Sequence, residues 1–257
     1  MLPSLFIGHG APNIIFQNNE YTEFLRNYAK TINKPKAIVI FSAHWESDIQ
    51  SIGASENYDM IYDFYGFEEE LYTIQYKTSS DKDLTLKIQD LLKTNGISNN
   101  LDYKRGIDHG AWTVLKLIYP NIDIPVINMS VNIKLSNEEQ YNIGKALEAL
   151  KKEDVLIICS SGIVHNLSML NYTSENNINS WAYDFNTWIK EKLYKWNLTQ
   201  LFNYEKMAPY SKLAVPRSEH FIPLLIAMGA GDTNKSPNLL KSIYQYGNLS
   251  LDFWEFK

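Results

Sequence analysis

At 257 residues, 45% hydrophobic and 21% charged, the chain has apolar material for one large core and is short for two independent ones. A formal net charge of −5 without clustered Lys or Arg argues against nucleic acid or an anionic membrane surface as partner, since both are bound through concentrated positive charge. The single cysteine, Cys159, excludes an intramolecular disulfide and a thiolate zinc cage, and its place in the apolar run VLIIC makes it a small core side chain.

No run approaches the roughly 20 apolar residues of a membrane span, and the N-terminus lacks a charged segment before an apolar stretch. A soluble, cytoplasmic protein is expected. In chain order, Ser4 to Ile7 is an apolar run that stops at Gly8-His9-Gly10 and the rigid turn of Pro12. Ala37 to Ser42 predicts a second strand leading into His44, and Ile49 to Ala54 and Tyr72 to Tyr76 predict two more. Asp83 to Lys93 has the pattern of a helix. His109 in DHGAW opens another helical pattern, in which Asp108 is either the N-cap or a carboxylate that orients an imidazole.

Ile124 to Val131 and Val155 to Ser160 predict strands, the second running on toward His165. Between them lies a helix from Asn137 to Lys151, announced by the capping-box spacing of Ser136 and Glu139. A third helix, Ser180 to Lys195, puts Trp181, Phe185, Trp188 and Leu193 roughly on one face, which reads as core packing. His220 in SEHFIP begins a further helical pattern. The alternating SLDFWEF (250–256) predicts a late strand at the sheet edge, able to pair with a copy of itself. The polar stretches Asn171 to Asn179 and Gly231 to Asn238 read as surface loops.

Continuous β-branched runs suit strands covered on both faces, so a single α/β domain over residues 1–257 is expected, with a mostly parallel central sheet flanked by helices. Ligands bind such sheets beyond the carboxyl ends of the strands, which aims His9, His44 and His165 at one crevice. One histidine beside a strand is usually structural. Five, all at strand ends or helix starts, suggest a metal site, because neutral imidazoles from separate strands can converge without any local motif.

The segments GHGAPN (8–13), SAHWES (42–47), YDFYGFEEELY (62–72), DHGAW (108–112), VHNL (164–167) and SEHFIPLL (218–225), in that order, resemble the class III extradiol ring-opening dioxygenases of the LigB-like superfamily. More narrowly they are similar to its 4,5-DOPA dioxygenase-type branch. The matching stretches run from Pro3 to Gly229. Two positions depart from the pattern: Ile163 stands where the family usually has a small or Asn residue, and Tyr62-Asp63-Phe64 replaces a common HDF.

The resemblance implies a LigB-like fold with one non-haem metal at the end of the sheet. It implies His9, His44 and His220 as ligands, His165 as acid/base and as a further ligand in some members, and His109 as a pocket residue that stabilises charge on the bound oxygen species. Glu219, beside His220, keeps open the general two-His, one-carboxylate alternative. Oxygenase activity calls for Fe(II), while such a site also accepts Zn(II). The implied partners are a small DOPA-like catechol and O2. Trp45 is expected to wall the substrate and Arg217 to meet a substrate carboxylate. Two other readings stand beside this one. One is a zinc-dependent hydrolase with Glu219 or Glu46 as base; the other is a non-catalytic binding protein on the same fold. The oligomeric state does not follow from the sequence.

Overall fold

The apolar runs of the sequence become the middle of an eight-stranded sheet in the computed structural model, which describes residues 1–121, 123–172 and 177–257. The strands are β1 (Ser4–Gly8), β2 (Ala37–Glu46), β3 (Gln50–Gly53), β4 (Asn99–Asp102), β5 (Val126–Val131), β6 (Val155–Ser161), β7 (Pro237–Gln245) and β8 (Leu249–Phe256). Their order across the sheet is β4-β3-β5-β2-β6-β1-β8-β7. The four central strands are mutually parallel, with Ser4 opposite Ile157, Ala37 opposite Val155 and Ile38 opposite Val126. β3 meets β5 antiparallel, and β8 lies antiparallel between β1 and β7.

Alternation along the strands splits the interior into two layers. Val39, Phe41, Ile127, Ile157 and Cys159 face the layer formed with α2 (Lys82–Thr94), α4 (Asn137–Leu147), α5 (Ser180–Tyr194) and α9 (Ile222–Gly229). Ile38, Ile40, Leu156 and Ile158 face α1 (Glu20–Tyr28) and α3 (His109–Ile118). Three short helices, α6 (Leu198–Phe202), α7 (Tyr204–Met207) and α8 (Ser211–Ala214), lead from α5 toward His220. The result is a single-domain α/β fold with a mostly parallel sheet covered on both faces, as the apolar runs predict.

The capping box forms as its spacing requires: the Glu139 amide donates to Ser136 Oγ at 3.3 Å and the Ser136 amide to Glu139 Oε2 at 2.7 Å. That helix is shorter than expected, because its last turns tighten to a 3-10 helix over Glu148–Glu153 that ends at Asp154 with φ 62°. On α5, Phe185 and Leu193 are buried while Trp181 and Trp188 pack partly buried against the same layer.

Three expectations need correction. Tyr72 to Tyr76 is not a strand: Glu69–Thr73 is a 3-10 turn, and its apolar spacing reflects burial of Leu71 and Tyr76 rather than ladder pairing. The C-terminal strand is not at the edge, because β7 pairs along its whole length and takes that position. β7 also shortens the expected 231–238 loop. β4 was hidden because its sequence, NNLD, has no apolar period. Of the expected loop 171–179, residues 173–176 lie outside the described residues. Among the described residues, no helix is long and apolar enough to cross a membrane.

Helices α4 and α9 cross at two glycines. A Cβ on Gly144 would lie 1.9 Å from the Ile226 carbonyl oxygen, and one on Gly229 1.9 Å from that of Tyr141. Backbone atoms cannot yield as a flexible side chain would, so Gly144→Ala is expected to lower stability by about 3 kcal/mol, the upper end of ordinary overpacking. Urea unfolding measures this, and an unchanged midpoint would mean that the crossing is looser than described.

Candidate metal and active site

The carboxyl ends of the central strands deliver the histidines. His9 is the first residue after β1, and its amide donates to Ser161 on neighbouring β6 at 2.9 Å. Gly8 lets β8 pass close by, since a Cβ there would sit 2.7 Å from Leu251 Cα, and Gly10 turns the chain away at φ +63°. His44 lies within β2, beyond Phe41, where register with β5 shifts. His109 opens α3 behind the N-cap Asp108, His165 follows β6 and donates its amide to the Ala214 carbonyl, and His220 ends the 3-10 turn before α9.

All five rings meet. Centroids are 5.0 Å apart for His9 and His44, 5.4 Å for His9 and His220 and 4.0 Å for His44 and His109. His165 stacks on His220 at 3.5 Å and 6°. Two triads, His9-His165-His220 and His9-His44-His109, each hold their ligand atoms within 4.8 Å of one another.

Hydrogen bonds fix which nitrogen of each ring carries the proton. Ser160 Oγ donates its only proton to the Gly110 carbonyl, so it accepts from His9 Nδ1, 3.1 Å away. The two oxygens of Asp63 accept from His109 Nδ1 at 2.8 Å and His44 Nδ1 at 3.1 Å, while Glu219 Oε1 accepts from His220 Nδ1 at 3.2 Å. Each ring therefore turns an Nε2 lone pair inward. His9 and His44 point theirs at each other across 3.2 Å, and that of His220 is buried without a hydrogen-bond partner among the described residues. Facing lone pairs repel unless a cation or a proton lies between them, so the donor set fits a metal ion.

Charge supports the same conclusion. Burial and the neighbouring imidazoles push His9 and His220 well below the ordinary histidine pKa and bring His165 down to about 3. Burial and His44 lower His109 against the opposing pull of Asp63. For His44, burial opposes charge, but Asp63, Asp108 and Glu219 together outweigh it and raise the pKa. Burial likewise disfavours ionised Asp63, yet the hydrogen bonds and charges of His109 and His44 hold it below the usual carboxylate range. Most of the site is thus neutral imidazole, the form that binds metal.

His9, His44, His109 and His165 floor a cleft of about 600 Å³, walled by Phe64, Tyr65, Phe67, Leu167, Tyr172 and Tyr246, and His220 lies outside its lining. A cleft of about 760 Å³ near Tyr103 has no such cluster of titratable side chains. Trp45 and Arg217 are not among the residues that line the histidine cleft. Trp45 is buried with the Arg105 guanidinium 5.7 Å from its ring centroid. Arg217 is mostly exposed and binds Glu46 through both carboxylate oxygens, at 2.6 and 2.8 Å, and Glu219 at 3.3 Å. Glu219 thus spans Arg217 and His220 Nδ1. Asp108 caps Ala111, accepts from Ser42 at 2.5 Å and pairs with Arg105 at 3.3 Å, without touching an imidazole.

The orienting carboxylate is Asp63, which the sequence marked only as part of an unusual Tyr-Asp-Phe stretch. It sits 46 residues from His109 on an irregular segment, so no periodicity announces it. Ser160 was equally hidden, as one small residue in a buried strand. Ile163, the other departure, fills the core.

The family described as the catalytic LigB subunit of aromatic ring-opening dioxygenase matches residues 5–253. The chain is 38% identical to a 4,5-DOPA dioxygenase extradiol of Beta vulgaris, over 98% of this chain and 96% of that one. Identity is 32% to the protein of that name from Escherichia coli K12, over 97% and 93%. A crystal structure of an uncharacterized Escherichia coli K12 protein superposes with a TM-score of 0.86 at 28% identity, each chain covered completely. A match over almost the whole length, on a fold whose sheet end gathers five histidines, makes this chain a member of the LigB family of aromatic ring-opening dioxygenases.

Proposed function

We propose that this extradiol ring-cleavage dioxygenase opens a DOPA-like catechol with O2 at a ferrous ion held by His9, His44 and His220, with His165 as its acid/base. The inward set of Nε2 lone pairs, each backed by a fixed acceptor at Nδ1, carries the reading. Bound there, iron supplies the redox and Lewis-acid chemistry that catechol and dioxygen need, and zinc fits the same donors without the redox function.

The chain's own residues do the rest. Held neutral, His165 offers a lone pair to a catechol hydroxyl and returns the proton later, and its stack on His220 sets it beside the ligand set. His109 donates its Nδ1–H to Asp63 in a hydrogen bond, so its Nε2 accepts from a substrate hydroxyl and donates to developing negative charge only after taking up a proton. The aromatic wall suits a planar ring. The hydrolase alternative takes Glu219 or Glu46 as its base. Glu46 and Glu219 are tied to Arg217 and Asp63 lies between two imidazoles, which favours the oxygenase.

Oxygen uptake by protein reconstituted anaerobically with Fe(II), on a panel of catechols that includes L-DOPA, tests the reading against a zinc-loaded control. Iron-dependent uptake with a coloured ring-opened product is expected; iron bound with no uptake on any catechol would overturn it. His165→Gln is expected to keep its metal and lose about 10²- to 10⁴-fold in kcat, and full activity would remove the residue from this role. Asp63→Asn keeps the size of the side chain but loses the charge and one acceptor. Its metal dissociation constant is expected to rise about 10- to 100-fold, read by competition with a chelator, and wild-type affinity would show that the two imidazoles orient themselves.

A further inference from the structure

A second cleft adjoins the one over the histidines. It has a volume of about 760 Å³, and its walls include Gln17, Asn18, Tyr244 and Gln245. Tyr172 and Tyr246 line both clefts, with their ring centroids 4.9 Å apart. The two spaces are therefore neighbours across one tyrosine pair. Glu20 in the second lining is paired with Lys241 at 2.6 Å, so this wall meets a ligand mainly through amides, hydroxyls and rings.

A chain of hydrogen bonds sets the polarity of the boundary between them. The first amides of α1, those of Tyr21 and Thr22, donate to Asn19 Oδ1 at 3.0 Å each, which turns Asn19 Nδ2 toward Gln17 Oε1 at 3.2 Å. The same Gln17 oxygen accepts from Gln245 Nε2 at 2.8 Å. Gln245 is thereby fixed with its Oε1 on the other side, buried and without a hydrogen-bond partner among the described residues. That oxygen lies 2.9 Å from the place a Cβ on Gly10 would take, and Gly10 lines the histidine cleft. One amide therefore belongs to the far wall and aims a bare acceptor at the near one.

We propose that the two clefts form one bipartite site for catechols with a neutral, hydroxyl-bearing arm: the ring lies over the histidines, and the arm passes the tyrosine pair, donates to Gln245 Oε1 and ends in the second cleft. This deepens the catechol reading above and rests on it. A buried acceptor left unpaired costs free energy that a donor on the arm recovers. Tyr172 is 71% exposed, and exposed side chains change rotamer readily, so its ring can move aside to admit the arm. Beyond it, amides and hydroxyls offer donors and acceptors together, the mixture that a polyol matches and an alkyl arm leaves unpaired.

Two catechols separate the subsites: 4-ethylcatechol, with a short arm, and 2-(3,4-dihydroxyphenyl)ethyl β-D-glucopyranoside, which carries a sugar on the same two-carbon link. The glucoside is expected to bind zinc-loaded protein about tenfold more tightly in calorimetry, the gain from two or three added hydrogen bonds. Gln245→Met keeps the length of the side chain and removes the amide. It should weaken the glucoside about fivefold more than it weakens 4-octylcatechol, whose arm is long but carries no donor. A glucoside bound by the wild-type protein no more tightly than 4-ethylcatechol would overturn the proposal, as would equal losses for the glucoside and 4-octylcatechol in the variant. If the Fe(II) enzyme consumed no oxygen with any of the three, the dioxygenase reading would fail, and the affinities of the zinc-loaded protein would still decide this one.

Discussion

A neutral imidazole has one lone pair, and the nitrogen that keeps the proton decides where that pair points. Everything at the end of this sheet depends on that choice being made in advance. Ser160, Asp63 and Glu219 each accept a hydrogen bond from the Nδ1–H of a ring that faces the centre, and Asp63 does so twice. Without those acceptors the rings could rotate or exchange tautomers and relieve their crowding as ordinary hydrogen-bonded histidines. With them, His9 and His44 face each other through Nε2, an arrangement that costs free energy unless a proton or a metal cation lies between the two nitrogens.

The sheet makes that constraint affordable in a small number of contacts. Parallel strands β1, β2 and β6 end on the same side, so His9, His44 and His165 arrive together, and Ser42 and Ser160 lie opposite each other in register beneath them. The serines link the strands to α3 through Asp108 and the Gly110 carbonyl, and Ser161 reaches the His220 carbonyl. Small hydroxyl side chains at the strand ends thus tie the helix starts to the sheet, where bulkier apolar residues would have pushed the rings apart. The Nδ1 acceptors and the strand-end serines together form one hydrogen-bonded plate behind the cleft.

The legible part of this protein is the part with local cause. Continuous apolar runs announced the central strands, and Ser136 with Glu139 announced a helix start, because burial and capping act within a few residues. The histidines were visible for the same reason, each expected at a strand end or a helix start. Asp63 and Ser160 were not, since their importance arises from partners far away in sequence. Tyr72 to Tyr76 misled because Leu71 and Tyr76 are buried beneath an irregular segment, and burial alone leaves the same apolar spacing that a strand does. Arg217 drew attention as a free cation near a motif, and only the fold brings Glu46 to it across 171 residues.

The position of β1 in the sheet carries a consequence for biosynthesis. Its partner on one side is β6, and on the other is β8, whose Phe253 to Phe256 lie opposite Ile7 to Ser4. A ribosome that has just completed β6 has made three of the five histidines but leaves β1 with an open edge, and Leu251, which packs against Gly8 beside His9, does not yet exist. The strand that starts the chain is therefore enclosed by residues translated about 250 codons later. Until that happens, the nascent chain exposes a pairing-competent apolar edge, the kind of surface through which unfinished chains associate.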